Sequence, residues 1–478
     1  MTRRVGTTMR GVALLAGATW IAGAQGAGFA IIEHSAQGLG TAFSGGAASA
    51  ADGSTVYFNP AGMSRLEGTQ VHAAGHVIIT SFDFTDTGSF QATPAGNLPL
   101  LPTASRSDDG GTIGLVPNLY YVRDLAPGWK FGLGVNAPFG LRTEYGRNWV
   151  GRYQAVESDI LSINVNPSLS FKVSDDLSFG FGVNAMYLRA KLSNAIDFDA
   201  VCRGSVAPAV VAGSGLVPPP AIPATVAATC TGLPGSGSSE GFVENEADDW
   251  GFGINAGLLY QVTPTTRVGI AYRSEVHHEL EGDANFTVPA GIAAGAFGPA
   301  TQGTIATLFA DTSARANLDL PASLSASLHQ RIGDKFTLLA DATWTGWSSV
   351  QELRIDFGTP GQPDGVETLG WDDTWRLSLG LEYAHNDRLT LRTGVAWDES
   401  PIPNAAARTA RLPDNDRVWL AFGASYRVSD RLSADFGYVH LFVDDTDIQR
   451  TGSTGSVLRG TYDSQADILS AQVRYRFK

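Results

Sequence analysis

Trp375 to Tyr383 reads WRLSLGLEY, and the spacing of its apolar residues decides the fold. Trp375, Leu377, Leu379, Leu381 and Tyr383 fall on one face of an extended chain, Arg376, Ser378, Gly380 and Glu382 on the other. Trp250 to Val262, WGFGINAGLLYQV, repeats the period, with Trp250, Phe252, Ile254, Ala256, Leu258, Tyr260 and Val262 together. So does Asn317 to Leu328, where Leu318, Leu320, Ala322, Leu324, Ala326 and Leu328 alternate with Asn, Asp and Ser. A soluble sandwich also alternates. Here, however, the apolar faces end in Trp and Tyr, the signature of aromatic girdles at two membrane interfaces, and the opposite face suits a wet lumen. The segments run about 10–14 residues, enough to cross a bilayer at a tilt.

Outward from this stretch the period recurs over 69–84, 112–125, 128–145, 158–173, 177–193, 250–262, 265–281, 314–332, 335–356, 371–385, 387–399, 416–428, 431–443 and 466–477. Fourteen is an even number, as single-chain bacterial barrels require. Polar triplets at 174–176, 386–388 and 429–431 read as short periplasmic turns; 194–249, 282–313 and 400–415 read as long extracellular loops. The expected fold is all-β: a 14-stranded antiparallel transmembrane barrel spanning 68–478. Its last strand sends Leu469, Ala471, Val473, Tyr475 and Phe477 to lipid and Gln472, Arg474 and Arg476 inward.

The chain of 478 residues carries 33 Lys+Arg against 47 Asp+Glu, and this acidic balance excludes a phosphate-binding nucleic-acid partner. Arg3, Arg4 and Arg10 precede an uncharged apolar run from Gly11 to Ala24. That run is too short to span a membrane and reads as a cleaved signal peptide over 1–26, ending after Gly26 or, alternatively, after Ala24. Residues 27–67 are rich in small side chains and do not alternate, which fits a plug folded inside the barrel. No Cys/His set has metal spacing, and no P-loop or HExxH occurs, so neither a cofactor nor an enzyme is expected. The remote enzymatic alternative is an outer-membrane lipid hydrolase, which would have to combine His76 and His440 with a lumenal or rim serine.

AGF at 27–29, QGLGTAFSG at 37–45, NPA at 59–61, FGLG at 131–134, NAPFGL at 136–141, NAMYLRAK at 184–191, WGFGINAGLLY at 250–260, YRSE at 272–275, RTGVAWDESPIP at 392–403 and PDNDRVWL at 413–420 run in one order. That series resembles the FadL (OMPP1/FadL/TodX) family of outer-membrane transporters for long-chain fatty acids and other hydrophobic compounds. The resemblance implies a barrel closed by an N-terminal hatch, capture of ligand at the outer surface, and lateral exit through a gap in the wall. Fatty acids are the expected cargo and aromatic or alkane hydrocarbons the alternative. The remaining expected partners are outer-membrane lipid and lipopolysaccharide, around a monomer.

By the same resemblance Phe29 lines an internal pocket, and Asn59, Pro60 and Ala61 anchor the hatch near the portal. Pro138 interrupts the third strand, because proline cannot donate to the ladder; with Asn136, Ala137, Phe139 and Gly140 it marks the lateral portal. Arg189 and Lys191 match positions that hold a carboxylate, while two further basic positions of the pattern fall on Asn194 and Glu367. The two cysteines, Cys202 and Cys230, are expected to form a disulfide in an oxidising compartment. Leu216, Val217, Ile222, Phe286, Ile292, Phe297, Ile305, Leu308 and Phe309 are expected to line a capture groove between the loops 194–249 and 282–313.

Overall fold

The computed structural model describes residues 28–93, 96–100 and 105–477; the expected signal peptide and its cleavage site lie outside them. Fourteen strands form the wall. In chain order they are Gln70–Asp86; Ile113–Ala126; Trp129–Asn136 continued by Gly140–Glu144; Glu157–Lys172; Leu177–Asp197; Glu240–Gln261; Thr266–Arg273 continued by Val276–Thr287; Thr312–Leu320 with Ser323–Ile332; Phe336–Thr345 with Glu352–Phe357; Gly365–Thr368 with Thr374–Ala384; Leu389–Asp398; Arg417–Arg427; Leu432–Val443; and Ser456–Arg476. Each pairs antiparallel with the next, and the first closes on the fourteenth from Gln70↔Arg476 to Asp86↔Gly460. Closure of the last strand on the first leaves neither terminal strand as a free edge.

The outer face is apolar: Phe252 and Leu379 are 69% and 55% exposed. Aromatic rings of neighbouring strands touch at both of its rims. At the periplasmic end Trp129 stacks on Phe171 at 5.2 Å and Phe171 on Phe179 at 5.7 Å. At the outer end Tyr187 meets Trp250 at 5.6 Å, and Trp344 lies opposite Trp375.

Three features differ from the expectation. The sixth strand starts at Glu240, not 250, and the fourteenth at Ser456, not 466. These extensions rise above the outer girdle, where the ladder continues but lipid no longer requires an apolar face. Second, Leu318 and Leu320 are buried while Leu324 is exposed, so they do not share a face. Pro321 and Ala322 break the eighth strand and reverse its parity. The neighbouring strands break at the same height, since Arg273 pairs with Ser323, Ser323 with Thr345, and Thr345 with Thr374. Above this level Val276, Leu280, Leu318 and Leu320 turn inward and make the upper lumen apolar. Third, the segments 194–249 and 282–313, expected simply as loops, contain helices: Phe198–Val201, Ala207–Gly213, Ile222–Thr229 and Gly298–Leu308.

The segment ahead of the first strand sits inside the wall as a hatch of short helices, Ala36–Leu39, Gly46–Ser49 and Thr55–Phe58, and a 3-10 turn, Pro60–Arg65. Wall arginines hold it by its main chain. Arg376 donates to the Ala42 carbonyl at 2.7 Å, Arg474 to Ala51 at 3.0 Å and Arg273 to Tyr57 at 2.9 Å. Of these carbonyls, that of Tyr57 lies in a helix, Thr55–Phe58, too short to satisfy it internally. Within the hatch Ala42, Phe43 and Ala50 stand at φ 49°, 53° and 47°, a conformation costly for a residue with a side chain.

Candidate functional site

The break in the third strand opens the wall on one side only. Below it the third strand pairs with the second from Ala126↔Trp129 to Leu119↔Val135. Above Leu119 the second strand pairs with the first strand alone, up to Ile79↔Ile113. On its other side the third strand stays tied to the fourth, through Asn136↔Asn164 and then Gly140↔Leu161. Ser162 bridges the discontinuity: its hydroxyl accepts from the Phe139 N–H at 2.9 Å and its own N–H donates to the Phe139 carbonyl at 3.2 Å. Asn136 accepts from Asn164 Nδ2 at 3.1 Å, and Asn164 also donates to Asn184 at 3.2 Å. Ala137, Phe139 and Leu141 are all buried, so the kink bends into the lumen.

The first described residues of the hatch act as a strand for this kink. Ile31 N–H donates to the Pro138 carbonyl at 2.8 Å, Gly140 N–H donates to the Phe29 carbonyl at 2.9 Å, and Ala30 bridges Phe139. Phe29 is 4% exposed, its ring 5.0 Å from Trp347, 5.8 Å from Trp371 and 5.9 Å from Phe139. Met186, Leu188, Leu320 and Leu412 extend this cluster. Gly28 has φ +66°, its N–H donates to Asp414 at 3.0 Å, and a Cβ there would lie 2.6 Å from the Trp347 ring. The glycine of AGF is therefore dictated by both conformation and space.

Asn59 holds three partners: it donates to the carbonyls of Ala47 at 2.6 Å and Leu258 at 3.0 Å, and accepts from Ala61 N–H at 3.0 Å. Pro60 and Ala61 press on Gly180 of the fifth strand. Through Ser170 this position is level with Lys130, well below Pro138. Asn59, Pro60 and Ala61 thus fasten the hatch at the periplasmic end of the wall, away from the kink.

Arg189 and Lys191 do not reach the lumen. They alternate with the buried Leu188 and Leu192, which puts them on the outer face. There Arg189 faces Asp159 at 3.5 Å, and Lys191 pairs with Glu157 at 3.1 Å and Glu244 at 3.2 Å. The strand period, already visible in the sequence, separates them from the apolar cluster.

Arg411 is the basic residue that sequence reading missed. It donates to Ser158 and to Asn194 Oδ1, both at 3.2 Å, and pairs with Glu367 at 3.3 Å; Arg450 stands 3.8 Å from Glu367. Asn194 and Glu367, the positions where the family pattern has bases, here grip a base from another loop. Arg411 and Arg450 line one part of a cavity of about 410 Å³ whose apolar lining includes Leu192, Ile196, Val243, Phe286, Phe309 and Ile355. That volume lies within the roughly 300–1,000 Å³ of small-ligand sites.

The loops above form a small core of their own. Cys202 and Cys230 are joined, with Cα atoms 5.9 Å apart. Around them pack Phe198, Val206, Val211, Ile292 and Ile305. Most of the expected groove residues belong to this core: Ile292 and Ile305 are buried in it, and Val217, Ile222, Phe297 and Leu308 pack against it. Leu216 is exposed, while Phe286 and Phe309 pack against this core and also line the cavity. Helix formation consumed the apolar inventory that the sequence offered as a groove.

A family profile described as outer membrane protein transport protein (OMPP1/FadL/TodX) matches residues 15–477. The long-chain fatty acid transport protein of Escherichia coli O6:H1 is 30% identical over 440 residues, covering 90% of this chain and 89% of that protein. The crystal structure of a Pseudomonas aeruginosa FadL homologue superposes with a TM-score of 0.81 at 26% identity, covering 95% of this chain and 100% of that one. The Ralstonia pickettii toluene transporter has the same fold, with a TM-score of 0.62 at 20% identity over 93% of this chain and 98% of its own.

Proposed function

We infer the activity from one premise: the chain belongs to the OMPP1/FadL/TodX family of outer-membrane transport proteins, and so is an outer-membrane transporter of hydrophobic compounds. The finer reading is that it takes up long-chain fatty acids, passes them through the lumen, and releases them sideways between the second and third strands. The observation that carries this reading is the gap beside Pro138, closed from inside by residues 29–31 rather than by the wall itself. A closure made by the hatch can be withdrawn without breaking the barrel. Lateral release also avoids water. Rehydrating a 16-carbon chain costs on the order of 10 kcal/mol, at about 0.8 kcal/mol per methylene. Sliding from pocket to bilayer through a gap leaves most of that surface covered.

The cargo is read from the cavity. Its apolar walls suit an acyl chain, and Arg411 with Arg450, two positive charges facing the single carboxylate of Glu367, leave a surplus positive charge for a carboxylate that a hydrocarbon does not have. The fatty-acid transport relative at 30% identity supports the same choice over the hydrocarbon alternative. No enzymatic step is assigned to the chain.

The test is ligand binding by native mass spectrometry on the refolded barrel, with palmitate against an alkylbenzene. Arg411→Gln should weaken palmitate about 10- to 100-fold, the worth of a hydrogen bond to a charged group, and leave the alkylbenzene unchanged. Equal binding of both ligands, with palmitate insensitive to Arg411→Gln, would transfer the assignment to uncharged hydrocarbons.

A further inference from the structure

A second cavity, of about 500 Å³, lies at the periplasmic mouth between the base of the hatch and the last four strands. Arg65 lines it from the hatch; Arg388, Arg392, Arg427, Arg431, Arg474 and Arg476 line it from the wall and its turns. Its acidic lining is Glu67, Asp387 and Asp430. In a chain of net charge -14 this is a local reversal of sign.

Internal pairing neutralises little of it. Arg476 pairs with Glu67 at 2.8 Å, and Arg392 with Glu382 at 2.6 Å. Among the described residues the other five guanidinium groups have no carboxylate within 4.0 Å. Arg474 donates to the Ala51 carbonyl at 3.0 Å and to the Ser433 hydroxyl at 3.3 Å, both neutral. Arg427 donates to the Asp387 carbonyl. The five come from the hatch, two turns and two strands, yet all line one hollow. Like charges held round a recess walled by protein focus a positive potential into it, and planar guanidinium forks match carboxylate and phosphate oxygens.

We propose that this basin binds a small soluble anion bearing two or more carboxylate or phosphate groups, and that the bound anion ties Arg65 of the hatch to Arg388, Arg431 and Arg474 of the wall. Neutralising these groups together fastens the base of the hatch while its other end, at Phe29, stays free to leave the kink. The proposal does not depend on the identity of the transported compound.

The experiment is calorimetric titration of the full chain, refolded in uncharged detergent, with inorganic pyrophosphate and separately with citrate. One saturable site is expected, weakening at least 10-fold between about 50 and about 300 mM salt. The variant Arg65→Gln/Arg388→Gln/Arg431→Gln should lose at least 10-fold more, with the heat-dependent gel shift confirming a closed barrel. If that variant does not fold, Arg65→Gln alone should weaken binding at least threefold. A further arm adds phosphatidylglycerol to the micelles: competition with pyrophosphate would assign the same chemistry to a lipid headgroup instead of a soluble anion. No saturable binding of either anion at about 10 mM, or equal binding by wild type and triple variant, would overturn the proposal.

Discussion

Removing the Phe29 side chain should unlatch the kink while leaving the barrel standing. Two main-chain hydrogen bonds join residues 29–31 to the break, at 2.8 and 2.9 Å. Each contributes about 0.5–1.5 kcal/mol net, so the pair alone holds the seal by roughly 1–3 kcal/mol. The ring adds its burial against Trp347, Trp371 and Phe139. A buried Phe→Ala change costs about 3–5 kcal/mol, most of the total. Phe29→Ala should therefore raise the open population between about 10² and 5 × 10³-fold, at about 1.4 kcal/mol per decade. The amides of Ile31 and Gly140 report this directly, because the seal itself protects them. Hydrogen exchange in detergent should speed up at both by that factor. Val77, paired to the fourteenth strand opposite Leu469, should keep its protection. A rise of less than about 10-fold at Gly140, with Val77 still protected, would refute the view that Phe29 holds the gap shut.

Pro138→Val with Gly140→Val should let the third strand pair with residues 113–118 of the second; uptake of long-chain fatty acid should fall at equal outer-membrane abundance, and unchanged uptake would favour an axial path through a moving hatch. Cys202→Ser/Cys230→Ser should still insert, since wall hydrogen bonds close the barrel. The loop core should loosen by roughly 3–4 kcal/mol for a crosslink across 28 residues, seen as faster proteolysis between 198 and 239; alkylation of native wild-type thiols would contradict the pairing. Asn59→Ala removes three hydrogen bonds and should make the hatch protease-sensitive at roughly 2–4 kcal/mol while the wall resists. Gly257→Ala should mimic it, because a methyl there would sit 1.9 Å from Asn59 Oδ1; a protected hatch in both variants would remove Asn59 from its anchoring role.

The wall was legible in the sequence because lipid enforces a period of two on every strand it touches. Legibility stops where lipid stops. Above the outer girdle Glu244, Glu246 and Asp248 occupy outward positions that would be apolar in the bilayer, so the ten residues of the sixth strand before Trp250 carried no signal. Pro321 was visible, but the parity reversal it causes was not, because alternation was carried straight through it. The kink could be located from Pro138, whereas its seal could not: nothing local links Ala30 to Phe139 across the intervening chain. Arg411 escaped for the same reason. It lies in a loop without periodicity, and its partners Asn194 and Glu367 come from distant parts of the chain. Arg189 and Lys191 failed differently, since motif matching ignored which face the strand turns them to.

The contacts of the last strand with the hatch bear on the order of assembly. Gln472 accepts from the Ala36 N–H at 3.1 Å and donates to Asp52 at 2.8 Å, and Arg474 reaches the Ala51 carbonyl. The hatch lies at the start of the chain, yet the strand that closes the wall around it lies at the end. Without a docked hatch the fourteenth strand would bring a glutamine and an arginine into the lumen with those acceptors and donors missing. The seam between first and fourteenth strands therefore closes more favourably over a docked hatch than over an empty lumen, by the worth of those hydrogen bonds, about 0.5–1.5 kcal/mol each.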